Sequence, residues 1–579
     1  MVLGSAAVFL VALGWLLVGY YFKHTSITPA NGGIYVEGIV GNPEFINPVI
    51  GDEPDLSIAR IVFSSLMKYD KNNKLVNDLV DNWSISDDKS EYLIKIKEGV
   101  NFHDGKPLTI DDVIYTIGII QNIRYNSPLF PSWKGVEYER VDDYTIKFIL
   151  DDPYAPFLHN LTFGILPRHL WEDFGPQEFK LSKLNEQPVG SGPYRFERHE
   201  LNENQAIKQF IFKANKDYYG KEAYIETVLF KFYQSEEEVI QELNEGEVMA
   251  INNLSLFNYD KVDKEQIQVH ELASPHYRAV FLNTGRSEIV AADEVREALA
   301  WATCREEIVE DVLMGKGKVV YSPVFTVPME GVEGFEKREC SVEKSKEVLE
   351  KAGWKLKEYS GQEEGEAEDE EEDGDEDEED QEDQDDSQTE DQEAAEENGS
   401  GQMVYFNEAK DPLQFSMAVN ADAPKLIETA EQLKAQWEKA GFLVNIQLLS
   451  SSELKNVVDN RDFDALIFGE FLNVDPDPMD YWHSSQKDKG ANLANYKNKD
   501  ADDLLVQGRK EHNEEKRDEI YRDFQLLINK DIPAVFLYSS YYLYPVNKEV
   551  KGIDMEEISD NSDRLRNINY WYIEEQRSK

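Results

Sequence analysis

The stretch LVDNWSISDDKSEYLIKIKEGVNFHDGKPLTIDDVIYTI, residues 79–117, decides the reading of the fold. A Trp-containing segment enters an Asp-rich turn at 87–88. YLIKI (92–96) then alternates apolar and polar side chains, as a half-buried strand does. In FHDG (102–105) the adjacent His103 and Asp104 invite a catalytic or metal reading. Neighbours in an extended segment point opposite ways, however, and do not converge on one ligand. Gly105-Lys106-Pro107 marks a turn, and Thr109 with Asp112 three residues on predicts a helix N-cap with an acidic first turn. The block reads as scaffold: two strands, a turn and a capped helix.

The same mixture continues outward. TIKFIL (145–150) and VLFKF (228–232) carry the strand alternation, and a turn at 190–193 leads into a strand over 194–198. That turn, Gly190-Ser191-Gly192-Pro193-Tyr194, lacks the Lys and Ser/Thr of a phosphate loop and opens no helix. Helices are predicted where Asp293 caps VREALAWAT, over 423–440, and over 516–529 ahead of Pro533. A helix end at 352–354 and a strand at 413–419 flank residues 360–402, which are Glu, Asp, Gln, Gly and Ser with almost nothing apolar. Such a segment buries too little to offset its ordering entropy, so a disordered acidic insertion is expected.

At the other end, residues 2–22 form an almost unbroken apolar run followed by Lys23 and His24. Twenty-one residues at 1.5 Å each reach roughly 30 Å, the hydrocarbon thickness of a bilayer. An uncleaved transmembrane anchor over 1–24 is expected, with a cleaved signal peptide as the alternative; 25–33 is a polar linker. No Cys lies in the run, so a lipid-modified one is excluded.

The chain has 579 residues and exceeds one hydrophobic core, so two or three lobes are expected. Its formal charge of −54, still −30 without the 24 acids of 361–400, argues against nucleic acid. The 29 Tyr and 28 Phe suit a packed core and also the walls of an adaptable cleft. Cys304 and Cys340 are too sparse for a disulfide framework; one bridge and two buried thiols both remain open. No Gly-x-Ser-x-Gly, His-Glu-x-x-His or Cys-x-x-Cys occurs, so enzymatic hydrolysis and a resident metal or cofactor have no visible constellation.

Seven stretches in order, across nearly all the chain after residue 31, resemble the peptide- and nickel-binding family (family 5) of ABC-importer solute-binding proteins. They are 32–50, FSSLMKYD (63–70), 79–117, VGSGPYRFE (189–197), FLNTG (281–285), 293–317 and DFDALIFGEFLNVDPDPMDYWHSSQ (462–486). The family has Asp-Arg where this chain has Cys304-Arg305. The resemblance implies an α/β, two-lobed periplasmic-binding-protein-like fold (type II, cluster C) with an extra β-rich subdomain. Lobe I would comprise 31–68, 189–278 and 535–579, the subdomain 69–188, and lobe II 279–534, including the acidic insertion.

It further implies an extracytoplasmic placement, so that with the N-terminal run as anchor the chain is expected to be a membrane-tethered monomer. Hinge closure would trap a short peptide for delivery to an ABC permease with cytoplasmic ATPases. In peptide-binding relatives an Asp before the closing Asp-Pro receives the ligand's amino terminus. Here that position is Val474 and Asp475 lies one residue nearer Pro478, so Asp475 is the candidate anchor, with loop capping as its alternative. Phe471 and Asn473 of the same loop, Phe45 and Asn47 of the first lobe, Tyr277 at the crossover and Trp482 complete the candidate ligand contacts. Two other readings stay open: a non-peptide solute (nickel-chelate, heme or oligosaccharide), and an importer-independent surface receptor or chaperone.

Overall fold

The computed structural model describes residues 15, 23–51, 55–359, 402–472 and 474–578. Apart from Trp15, Lys23 and His24 the expected anchor lies outside them, as does nearly all of the acidic insertion. Among the described residues no helix is long and apolar enough to cross a membrane.

Two large mixed sheets organise a two-lobed α/β fold. The first has seven strands in the order Ile267–Leu272, Tyr542–Asn547, Ala250–Ile251, Ile34–Val40, Thr227–Tyr233, Ile207–Ala214 and Tyr194–Leu201. The second has six: Gly317–Val319, Ala534–Ser540, His276–Leu282, Ala465–Phe471, Gln414–Asn420 and Leu443–Leu449. Its central strands are covered on both faces, and so read as near-continuous apolar runs such as AVFLYSS. Leu433 and Trp437 of helix Pro424–Lys439 pack on one face, and Tyr521, Phe524 and Ile528 of helix Glu514–Asp531 on the other. Each such buried side chain stabilises the lobe by about 1.5–3 kcal/mol.

The chain passes between the sheets at 273–275 and again at Tyr541, which joins two consecutive strands of different sheets. The boundaries expected at 278/279 and 534/535 therefore cut through strands His276–Leu282 and Ala534–Ser540, whose ladders lie wholly in the second sheet. Alternation looks the same on either side of a crossover, so the sequence did not mark it.

The opening stretch folds much as its pattern dictates. Val80–Ile85, Glu91–Ile96, Thr145–Ile149 and Glu137–Arg140 form a four-stranded antiparallel sheet. Thr109 precedes helix Ile110–Gln121, and the Asp112 carboxylate accepts the Thr109 N–H at 2.9 Å. His103 and Asp104 do diverge. The His103 ring accepts the Gly190 N–H (3.3 Å) and reaches the Gly192 carbonyl (3.0 Å), while Asp104 meets His169 Nε2 at 2.6 Å. His103 thus bolts the inserted region to the Gly-Ser-Gly-Pro-Tyr turn. There Gly192 donates to the Val62 carbonyl at 2.8 Å, and a Cβ would stand 2.6 Å from the Ile61 oxygen, which explains the glycine. One continuous core runs from the first sheet (Tyr35, Phe230) into this subdomain (Ile94, Phe148, Trp133).

Three local expectations need correction. Ala292, not Asp293, is the N-cap of helix Asp293–Ala302; Asp293 sits in the first turn and pairs with Arg296. The helix expected from 516 begins at Glu514, because the Asn513 side chain caps it by accepting the Lys516 N–H at 3.0 Å. The 25–33 segment is not a free spacer: Ser26–Pro29 pairs antiparallel with Glu575–Ser578. Of the two open readings for the cysteines, the structure has the bridge, Cys304–Cys340.

Candidate ligand-binding cleft

A cavity of about 290 Å³ opens between the first lobe and its inserted subdomain. Phe63, Ser64, Ser65, Lys68 and Tyr69 form one wall, Trp133, His159, Asn160 and Phe163 another, and residues 560–569 the floor. The aromatic wall is rigid because Trp133 packs edge-on against Phe163 and Phe148, with ring centroids 5.4 and 5.8 Å apart. Each cation here has an acid beside it. Lys68 lies 2.8 Å from Asp78, Arg60 3.1 Å from Asp560, and Arg566 3.4 Å from Asp563. The lining is therefore polar and aromatic, with its charges internally balanced.

His159 links this cavity to the second lobe. Its Nδ1 lies 2.9 Å from the Tyr69 hydroxyl, and its Nε2 3.6 Å from Asp475 Oδ2. Burial, aided by the nearby Arg517 charge, pushes the His159 ring down to about 4, so it is neutral near pH 7. Asp475 is 7% exposed and meets Arg517 Nη2 at 2.9 Å. Burial outweighs that cation and pushes the carboxyl up to about 6. Further contacts span the cleft nearby: Lys510 with Asp152 at 2.8 Å, His512 Nε2 with the Tyr92 hydroxyl at 2.9 Å, and Arg509 over the Tyr154 ring. Beside the crossovers between the sheets Lys316 meets Glu271 at 2.7 Å, and Lys425 lies over Phe257. Both edges of the cleft are thus bridged. Among the described residues no group of three His, Cys, Asp or Glu stands together as a metal-ligand set.

A protein-family model described as "Bacterial extracellular solute-binding proteins, family 5 Middle" matches residues 74–492, more than half of the chain. The chain belongs to this family. Family members are binding proteins, which agrees with the expectation of solute capture rather than catalysis. Among curated relatives, the oligopeptide-binding protein AppA of Bacillus subtilis (strain 168) is 27% identical over 572 residues, covering 95% of this chain and 93% of AppA. The solved structure of Bacillus subtilis AppA with a nonapeptide superposes with a TM-score of 0.66 at 26% identity, covering 94% of this chain and 99% of that one. NikZ of Campylobacter jejuni, solved with Ni(L-His), shares the fold with a TM-score of 0.68 at 24% identity, covering 93% and 99%.

On this family scaffold the expected contact residues fall into two groups. Asp475 lies at the cleft, and Phe471 is 67% exposed with its ring stacked on His276, centroids 5.2 Å apart. Phe45 is half-buried with the Lys180 ammonium 5.9 Å from its ring. Asn473 lies outside the described residues. Asn47, Tyr277 and Trp482, by contrast, are fully buried. Asn47 braces its own loop, accepting the Val49 N–H at 3.1 Å and facing Asn185 at 3.3 Å. Tyr277 donates its hydroxyl to Glu470, whose carboxyl burial pushes up to about 8. Trp482 stacks on Phe281 and packs against Phe536. All three are held inside the lobes and expose no surface.

Sequence reasoning singled out neither His159, Tyr69 nor the 560–569 floor as contacts. Tyr69 lies inside the quoted FSSLMKYD stretch, a signal that was available. His159 sits in a 3-10 turn and the floor is built of two more, with no periodicity to betray them.

Proposed function

We propose that this chain captures short peptides between its two lobes and releases them to an ABC permease whose cytoplasmic ATPases drive import. In this reading the hinge lies at 273–275 and Tyr541, where the chain passes from one large sheet to the other. Lobe I then comprises the segments around the seven-stranded sheet with 69–188 as its subdomain, and lobe II holds the six-stranded sheet. The observation that carries the reading is the cavity that His159 lines, from which that ring reaches across to Asp475 of the opposite lobe. The cavity's polar-aromatic and charge-balanced interior suits side chains of varied chemistry while the peptide backbone lies along the cleft. One relative supports peptides twice over: AppA of Bacillus subtilis is named oligopeptide-binding, and its solved structure holds a nonapeptide. The apolar run 2–22 would hold the protein to the membrane as an uncleaved anchor, with the binding lobes outside and the protein monomeric.

The test is mass spectrometry of whatever co-purifies with the full chain in mild detergent, beside a thermal-shift screen of tri- to octapeptides. Bound peptides, or a melting temperature that rises with them, are expected. Nickel-chelate, heme or sugar in their place would keep the scaffold and overturn the substrate. Carbonate extraction of membranes tests the anchor, which is sunk if the chain leaves with the soluble fraction.

A further inference from the structure

Three carboxylates lie on the described part of the segment from Glu470 to Asp477, and each is already engaged. Asp475 faces Arg517 at 2.9 Å and His159 at 3.6 Å. Asp477 is clamped by Arg509, with Nε at 2.9 Å and Nη2 at 2.6 Å from Oδ2. Glu470 is fully buried and accepts the Tyr277 hydroxyl. Arg517 is not a swinging surface cation: its side chain is 11% exposed, and its Nη1 donates to the Glu511 carbonyl at 3.0 Å. It projects from the first turns of an 18-residue helix packed into the second lobe.

A buried carboxylate already paired with a guanidinium holds a ligand ammonium less tightly than one whose charge is uncompensated. At Asp475 an incoming ammonium would meet a carboxylate already shared with a guanidinium, and that guanidinium would repel it. Three more acids and His159 face this corner. Asp477 is neutralised by Arg509, Glu514 is solvent-exposed, Asp518 is half-buried beside Arg522, and His159 is neutral.

We infer that this chain holds its peptides without reading a free α-amine, because Arg517 occupies Asp475, so that N-blocked peptides enter as readily as free ones. The inference rests on the peptide reading above and deepens it. Affinity would then come from the peptide backbone and from side chains in the polar-aromatic cavity.

The experiment compares a hexapeptide pool with its N-acetylated counterpart, by titration calorimetry on the full chain in detergent. The wild type is expected to bind both pools within about threefold of one another, whereas Arg517→Gln, which releases Asp475, should favour the free-amine pool by about tenfold or more. A wild type that prefers free amines by more than about tenfold, with the preference abolished in Asp475→Asn, overturns the inference. An unchanged ratio in a folded Arg517→Gln variant overturns the assignment to Arg517. Should that variant fail to fold, the wild-type ratio and the Asp475→Asn ratio decide alone. If neither pool binds the wild type, the peptide reading itself has failed and this inference falls with it.

Discussion

His159 of the inserted subdomain and Asp475 of the second lobe meet across the cleft, Nε2 to Oδ2, at 3.6 Å. Their proton affinities are displaced in opposite directions: His159 down to about 4, Asp475 up to about 6. A buried neutral histidine contributes stability that is present above its unfolded value of about 6.5 and lost as pH falls through about 4. The raised aspartate contributes below about 3.9 and loses that contribution as pH rises through about 6. The two oppose each other between these limits. Replacing His159 by Gln should flatten the acid loss of stability between pH 6.5 and 4.5, by at most about 3 kcal/mol. Urea unfolding at stepped pH measures it; identical slopes in variant and wild type would refute the assignment.

Arg564 and Glu37 form an ion pair at 2.6 Å with neither side chain exposed, and the Tyr35 and Tyr544 hydroxyls complete the carboxylate's shell. Arg564→Met leaves a buried charge uncompensated and should cost about 3–5 kcal/mol. The double variant with Glu37→Gln should recover part of that loss, so the two changes are non-additive in denaturant titrations. Additive losses would mean that the pair is not coupled.

The Cys304–Cys340 bridge closes a loop with a sequence separation of 36. By the chain-entropy argument, replacing both by Ser should cost about 3–4 kcal/mol. The melting temperature should fall equally on reduction of the wild type. Matching curves for oxidised and reduced protein would show that the bridge contributes nothing.

Strands Lys355–Tyr359 and Gln402–Phe406 pair directly, with Tyr359 opposite Gln402 at the mouth of the acidic insertion. Joining these two residues through Asn-Gly should preserve the ladder and stabilise the lobe by about 1–3 kcal/mol through the shorter loop. Peptide affinity should be unchanged. A drop in either quantity would assign the insertion a part in folding or capture.

Asn160 borders the cavity and is half-buried. Asn160→Trp should fill part of the 290 Å³ and weaken peptide binding about tenfold or more, roughly 1.4 kcal/mol, with little change in melting temperature. Unaltered affinity would move the binding site elsewhere.

What the sequence disclosed followed from how local each signal was. Alternation in 92–96 and 228–232, the Thr109–Asp112 box and the helix over 423–440 are written into neighbouring residues, and the elements stand within one or two positions of the reading. The two-lobed architecture came from ordered motifs, not from composition. The cleft was far less legible. Asp475 was visible, but its partner Arg517 lies some forty residues away on a helix whose pattern advertises only its buried face. Tyr277 and Trp482 could not be told from cleft aromatics, because an aromatic packed in a lobe and one facing a ligand have the same local neighbours. The cysteine pairing likewise depended on distance in space alone.

The short ribbon joining Ser26–Pro29 to Glu575–Ser578 brings both described ends of the polypeptide to one spot on the first lobe. Whatever grips the protein by either end grips that half of the clamshell, leaving the other half to swing. An immobilised sample fastened at the C-terminus would thus present the same stationary jaw as one fastened at the N-terminus. A fluorophore pair with one dye at Lys510, on the travelling jaw, would report each bite as a change in distance from a fixed point.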